Sequence, residues 1–263
     1  MILAFVLTIL IVGVVTAGLT IKFDRFFAIL MLMFLFKYSV FDAVNVFLWI
    51  IMLGALMILL DNKEKIAGLP KQMKIKMFVM IPAFTIITSF LGTMLFTSSS
   101  KTPLIIVLGI LAILYGLRLI IIHFKPEEMD LQNANPAIVK FCGLFGPILS
   151  GFSIGFIGTS LKPLKIPFAI RIGKMNMKQV YLGNTVTTFF ASSFAIMWHY
   201  FLGKTSTPEI FYQQLLLGAA LWTGIHYMSE ITNLLFSHKW KKLFQIVIGA
   251  ALVLASIKVF MLL

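Results

Sequence analysis

The sequence has very little charge. Of its 263 residues only 12% are Asp, Glu, Lys or Arg, whereas roughly a quarter of the residues in soluble domains are charged. Hydrophobic residues make up 60% of the chain. This balance excludes an ordinary soluble domain, and it predicts an all-α polytopic membrane protein.

The sequence has almost no cysteine, and it lacks two common motifs, one for nucleotide binding and one for zinc binding. Cys142 is the single cysteine, which excludes an intramolecular disulfide and a cysteine-based metal cluster. The sequence has no Gly-x-x-x-x-Gly-Lys-Ser/Thr loop, so ATP is not expected to drive the protein directly, and it has no His-Glu-x-x-His zinc motif. We predict no cofactor, no metal and no enzymatic activity.

Acidic residues are scarce too. Nine Asp and Glu stand against 22 Lys and Arg, which gives a net charge of +13. The lysines lie in short segments between apolar runs, where anionic lipid headgroups and the positive-inside rule account for them. No basic segment interleaved with aromatic residues is large enough to bind nucleic acid. Membrane lipid is therefore a predicted partner, and nucleic acid is not.

What the sequence does contain is a series of apolar runs. About 20 helical residues cross the roughly 30 Å hydrocarbon core of a bilayer. Residues 26–36 are apolar but too short, which predicts a re-entrant or interfacial segment, and the lysine-rich residues 61–76 are predicted to form a polar loop. Runs of spanning length cover residues 1–21, 43–60, 77–97, 103–122, 181–203, 211–236 and 243–263.

A further apolar run is interrupted by glycine and proline. Gly151, Gly155 and Gly158 recur at i, i+4 and i+7, and they share a helical face that another backbone or a ligand can approach closely. Pro163 and Pro167 are predicted to interrupt the helix, because proline lacks an amide donor and clashes with the preceding turn.

Lys162 and Lys165 place two cations beside this interruption. A broken helix inside a bilayer must be covered by protein or by a water-filled cavity. Exposed amide donors with lysines nearby are typical of an anion site in a transporter. An ordinary charged loop between two spans is the alternative.

The first and second halves of the chain resemble each other. The pattern predicts about eight transmembrane helices in two four-span repeats, residues 1–123 and 138–263, joined by a polar linker at 124–137. Each repeat has a broken or re-entrant segment after its first helix. Matches at an offset of 133 to 140 residues pair Gly13 with Gly146, Gly18 with Gly151, Lys101 with Lys241, Gly109 with Gly249 and Arg118 with Lys258.

One part of the second half points to a known family. Residues 150–158, 165–167 and 175–185 resemble the second-repeat signature of the sulfite exporter TauE/SafE family. Family members carry three consecutive glycines before the proline, where this chain continues with Thr159 and Ser160. The resemblance implies a multi-pass permease of the bacterial plasma membrane that moves sulfite, sulfonates or related small anions outward.

The sixth span carries a stripe of small and polar residues. Asn184, Thr188 and Ser192 recur every fourth residue, and Ala195 and His199 extend the stripe. It either lines a cavity or packs tightly against a helix, with its hydroxyls bonded to their own backbone. The predicted substrate-binding residues are Gly151, Gly155, Gly158, Thr159, Ser160, Lys162, Lys165, Asn184, Thr188 and Ser192.

The seventh span carries His226 and Glu230 one turn apart. Glu230 is the only acidic residue well inside a predicted helix of the second half, and leaving it ionised near mid-membrane would cost about 2.5 to 3.5 kcal/mol. We predict that it shares a proton with His226 in a relay, so that protons or the membrane potential drive transport. A structural carboxylate–imidazole pair is the alternative.

Two other functions stay open on the sequence alone. One is an intramembrane enzyme in which His199, His226 and Glu230 act on a lipid-borne substrate; the same three side chains would also be the candidate metal ligands, although their spacing is not diagnostic. The other is a non-transporting membrane assembly partner. The oligomeric state is undetermined.

Overall fold

The structure is a computed structural model that describes residues 1–18, 26–122, 136–171, 177–203, 207–235 and 238–263. Every regular element in these ranges is a helix, as expected. In chain order they are α1 (Ile2–Gly18), α2 (Phe26–Phe34), α3 (Val40–Asp61), α4 (Lys63–Ala67), α5 (Lys71–Ile75), a π-helical turn (Lys76–Met80), α6 (Ile81–Ser98), α7 (Lys101–Ile122), α8 (Pro136–Ile157), α9 (Lys162–Arg171), α10 (Met177–Leu202), α11 (Pro208–Leu235) and α12 (His238–Phe260).

Five of the helical runs are long and apolar enough to cross a membrane. They are Val40–Asp61, Lys71–Ser98, Lys101–Ile121, Val180–Leu202 and Leu243–Phe260. Helix α1 and the apolar part of α8 are shorter, whereas α11 has 28 residues but falls outside this group because its polar content is higher. The chain therefore has the makeup of a helical membrane protein, and the larger count of eight spans stays a prediction.

The predicted polar loop at residues 61–76 is wrong, because α4 and α5 form there and α5 continues without a gap into α6. Lys, Gln and Met are good helix formers, so a polar segment needs no apolar face to become helical. Most of the predicted linker at 124–137 lies outside the described residues, and its last two residues begin α8.

The helices form two compact units. The first comprises Met1–Phe47, Ser99–Glu127 and Leu216–Leu263, and the second comprises Leu48–Ser98 and Glu128–Leu215. Each unit draws on both halves of the chain, so the packing units differ from the predicted repeats. The division into repeats at residues 1–123 and 138–263 stays a prediction.

In the first unit, α7 and α12 pack backbone against backbone. A Cβ atom on Gly116 would lie 2.5 Å from the carbonyl oxygen of Gly249, and one on Gly249 would lie 2.7 Å from that of Gly116. Both positions therefore need glycine for the close approach. Helix α2 is short, as predicted, and seven of its nine residues are buried.

The second unit is built around α6, α8 and α10, which pack against one another. Helix α9 lies against α8 and α10. Where α6 meets α8, Gly92 faces the carbonyl oxygen of Phe152, and Gly155 faces that of Ser89, so that neither glycine has room for a Cβ atom. This unit contains the broken helix and the candidate site.

Candidate functional site

The predicted interruption is present between α8 and α9. Helix α8 ends at Ile157, and the next residue, Gly158, has φ 74°. Glycine at this position is a common helix terminator, because it adopts the left-handed conformation without a steric penalty. Thr159 and Ser160 follow and are fully buried, so the interruption is covered by protein.

The prolines do not end the helix as predicted. Gly158 already terminates α8, and Pro163 and Pro167 both lie within α9. Pro163 occupies the first turn of α9, where an amide donor has no intrahelical partner to lose. Leu161, just before α9, has φ 51°, a conformation that a residue with a side chain adopts at some cost.

A cavity of about 140 Å³ lies beside this interruption within the second unit. Four of its lining residues have polar side chains: Lys76, Lys165, Asn184 and Thr187. A water molecule needs about 10 to 15 Å³ of such space, so the cavity has room for a small anion with part of its hydration shell. The remaining lining residues are Met73, Met77, Ile81, Gly143, Phe145, Gly146, Pro147, Ile166, Ala169, Val180 and Gly183.

The Lys165 side chain is fixed by a hydrogen bond to α8. Its Nζ donates a hydrogen bond to Ser150 Oγ on α8, and the Ser150 hydroxyl donates to the carbonyl oxygen of Ser160 at 3.3 Å. Ser150 is fully buried. The lysine on α9 is thus connected through one hydroxyl to α8 and to the non-helical segment.

Lys76 is the second cation at the cavity, and sequence reasoning missed it. It begins the π-helical turn, in which Ile81 N donates to Lys76 O, five residues back. The turn forms because Pro82 has no amide to donate to Phe78 O, and its ring would clash with that carbonyl in a regular helix. Pro82 was the available signal for the turn, although it does not show that Lys76 lies at the cavity.

Gly143 on α8 leaves space for the Lys76 side chain. A Cβ atom on Gly143 would lie 2.8 Å from Lys76 Nζ. The ammonium group therefore lies directly against the backbone of α8. This contact joins residues 67 positions apart, which is why no local sequence pattern reveals it.

Asn184 and Thr187 are the other two polar residues that line the cavity. Asn184 is only 7% exposed, and its Oδ1 has no hydrogen-bond partner among the described residues. Thr187 donates its hydroxyl proton to Gly183 O at 2.8 Å, which leaves its oxygen able to accept. Both residues lie on α10.

Several predicted site residues pack helices and do not line this cavity. Gly151 faces the side-chain hydroxyl of Thr88 on α6, and Gly155 faces the backbone of Ser89, so the predicted close approach by another backbone is made at Gly155. Thr188 donates to Asn184 O at 2.8 Å, and Ser192 donates to Thr188 O at 2.7 Å. Both hydroxyls therefore bond to the backbone of their own helix, as expected for a stripe that packs tightly against another helix.

Lys162 and His199 also lie apart from the cavity lining. Lys162 begins α9 and is half-buried. His199 is buried, its Nε2 lies 2.7 Å from Gly155 O, and its ring stacks on Phe96 at 4.4 Å. These contacts fix α10 against α6 and α8. Within the part of the chain that the structure describes, no group of three His, Cys, Asp or Glu side chains is placed to hold a metal ion.

The predicted relay residues belong to the first unit. His226 stacks on Trp222 with ring centroids 5.4 Å apart. Glu230 is exposed and lies five residues before the end of α11, and no hydrogen bond or ion pair joins it to His226 among the described residues. An exposed carboxylate near a helix end does not need a buried partner. The relay itself stays a prediction.

One motif in α8 resembles that of a hydrolase. Residues 151–155 read Gly-Phe-Ser-Ile-Gly, the spacing of a nucleophile elbow. In an elbow the serine lies on a sharp strand-to-helix turn. Ser153 instead lies inside a helix, is buried, and donates to Ser150 O at 3.3 Å. The motif therefore gives no support to the enzyme alternative.

No protein-family model, curated protein or solved structure matches this chain. The resemblance of residues 150–185 to the TauE/SafE signature therefore stays a prediction.

Proposed function

We propose that this chain is a secondary permease of the cell membrane that moves small sulfur-containing or organic anions, such as sulfite or sulfonates. In this proposal it has eight transmembrane helices in two four-span repeats. The resemblance of residues 150–185 to a family of anion exporters favours outward transport. Protons or the membrane potential supply the driving force.

The observation that carries the proposal is the pair of lysines at one cavity. Lys76 and Lys165 come from distant parts of the sequence and line the same space beside a buried helix interruption. Two ammonium groups in a medium of low dielectric constant repel each other, so an anion between them is stabilised. Lysines that only anchored the protein to lipid headgroups would not need to share a cavity.

The Ser150 hydroxyl gives this site a defined geometry. It holds the Lys165 ammonium group by a hydrogen bond, so the cation is oriented before a ligand arrives. Preorganised donors avoid part of the entropy cost of binding. A site near an interrupted helix, reached alternately from either side, is the general arrangement in secondary transporters.

Flux measurements test this proposal. The full chain in proteoliposomes is assayed for uptake of radiolabelled sulfite and of a small organic anion, with and without a pH gradient. We expect Lys76→Gln and Lys165→Gln each to lower saturable uptake at least tenfold, since each change removes one of two charges that hold the anion.

Lys74→Gln is the matched control. Lys74 lies two residues before Lys76, and its Nζ donates to Ala67 O at 2.6 Å, away from the cavity lining. Its removal changes the net charge by the same amount as Lys76→Gln. Uptake no greater than in empty vesicles for every anion, or equal losses in all three variants, would contradict the proposal.

A further inference from the structure

The two cavity lysines lie near one end of the membrane-spanning helices. Lys76 comes five residues after Lys71, where the run Lys71–Ser98 begins, and the α10 residues that line the cavity lie at the start of the run Val180–Leu202. With a rise of about 1.5 Å per residue, Lys76 lies roughly 8 Å from the start of its run. The headgroup layer of a bilayer is roughly 5 to 8 Å deep. Both ammonium groups are therefore expected at the level of the lipid phosphates.

The cavity is positively charged and otherwise apolar. Lys76 and Lys165 line it, and no Asp or Glu side chain does so among the described residues. Its apolar walls come from Met77 and Ile81 on one side and from Ile166 on α9. A ligand that matches both properties has an anionic group for the lysines and hydrocarbon for the walls, since covering apolar surface favours binding.

The outer rim of the cavity is apolar as well. Phe145 lines the cavity and is still 44% exposed, so the cavity reaches the outer surface of α8 at this ring. Phe141 is 54% exposed, and its ring stacks on Phe145 at 5.1 Å. A Cβ atom on Gly146 or Gly183, which also line the cavity, would have no atom within 4 Å. The rim thus offers open space and exposed aromatic rings, which suit a hydrocarbon chain.

We propose that this cavity binds one anionic phospholipid, with its phosphate at Lys76 and Lys165 and an acyl chain that leaves the cavity along Phe145 and Phe141. Basic pockets between membrane-spanning helices are a general means of binding such headgroups. The lipid site goes beyond the proposed function, because it requires the two lysines and the cavity but no transport. A phospholipid and a small anion would occupy the lysines alternately, since both need the same two charges.

Native mass spectrometry of the full chain, purified in detergent, tests this inference. Phosphatidylglycerol, phosphatidylcholine with the same acyl chains, and glycerol 1-phosphate are the three probes. The first phosphatidylglycerol is expected to bind roughly tenfold more tightly than phosphatidylcholine, whose choline cation is repelled by the lysines. It is also expected to bind at least roughly tenfold more tightly than glycerol 1-phosphate, which has no acyl chain to cover the apolar walls.

Variants locate the lipid in the cavity. Lys76→Gln and Lys165→Gln should each lower the affinity for phosphatidylglycerol by roughly tenfold, because each removes a charged hydrogen-bond donor. Lys74→Gln should leave it unchanged, since Lys74 does not line the cavity.

Gly183→Leu keeps both lysines but fills the space that the acyl chain needs, so it should lower the affinity several-fold. Gly183→Ala adds a single carbon and should have a smaller effect. Alanine and leucine favour helix over glycine, so both variants should fold, and thermal unfolding checks this.

The outcomes separate this inference from the proposed function. Equal affinity of the intact chain for phosphatidylglycerol and phosphatidylcholine overturns the lipid site. Glycerol 1-phosphate that binds as tightly as phosphatidylglycerol also overturns it, because the cavity would then be a site for free phosphate esters. Phosphatidylglycerol binding that survives both lysine substitutions excludes the cavity. Lysine-dependent lipid binding without flux of any anion overturns only the permease, and lysine-dependent flux without a lipid preference overturns only the lipid site.

Discussion

At the scale of a single residue, Ser150 links the Lys165 ammonium group to the backbone of the segment between α8 and α9. Its hydroxyl accepts from Lys165 and donates to Ser160 O, and it is fully buried. A lysine side chain has many rotamers, and ordering it on binding is costly. The serine removes much of that cost because it holds the ammonium group before the ligand binds.

Replacing Ser150 by alanine should therefore weaken anion binding while leaving both lysines in place. We expect the dissociation constant of the bound anion to rise roughly tenfold, the effect of one lost hydrogen bond to a charged group at the lower end of its range. Titration of the full chain in nanodiscs measures it. Ser193→Ala is the control, since Ser193 donates to Phe189 O on its own helix at 2.8 Å. Equal affinities in the wild type and Ser150→Ala would show that the serine has no orienting role.

At the scale of the element, the π-helical turn determines where Lys76 points. A π turn inserts one extra residue into the helical register, which is a rotation of about 100° around the axis. Residues before the turn, from Lys71 onward, are rotated by that amount relative to a continuous α-helix. Lys76 and Met77 reach the cavity in this register.

Pro82→Ala should restore the regular register, because alanine supplies the missing amide and removes the clash with Phe78 O. The helix should become more stable, yet anion uptake should fall several-fold as Lys76 rotates away from the cavity. Thermal unfolding measures the expected gain in stability, and proteoliposome flux measures the expected loss of uptake. Pro103→Ala serves as the control, since Pro103 lies in the first turn of α7. Unchanged uptake in Pro82→Ala would mean that the turn does not position the lysine.

For the whole molecule, the proposed transport requires a source of energy, and His226 and Glu230 are the predicted coupling residues. Glu230 is exposed near the end of α11, and His226 lies one turn before it on the same helix. If the pair relays protons, removing the Glu230 carboxylate should make anion flux independent of the pH gradient. The anion site should stay intact.

We expect Glu230→Gln to keep downhill anion flux and to lose its acceleration by an imposed pH gradient. The amide is nearly isosteric with the carboxyl group, but it cannot take up and release a proton at physiological pH. Flux into proteoliposomes with and without the gradient measures both quantities. Glu209→Gln, at the start of the same helix, is the control. Full gradient dependence in Glu230→Gln would exclude this residue from the coupling.

The fold could be predicted from the sequence to the extent that its signals are local. Apolar runs separated by lysine-rich segments indicated the helices. The Gly- and Pro-containing run indicated an interruption, although Gly158 ends α8 and the two prolines lie within α9. Close packing of Gly155 against Ser89 was not predictable, because it depends on which helices become neighbours. Lys76 was missed for the same reason, since its place at the cavity depends on Gly143 in another helix.

The position of the two lysines has a mechanical consequence. Helix α9 has only ten residues, and Lys165 lies in it, whereas Lys76 belongs to the 28-residue run Lys71–Ser98. An anion held by both side chains is a removable crosslink between a short helix and a long one. Occupancy of the cavity would then slow amide hydrogen exchange along α9, and release of the anion would restore the faster exchange.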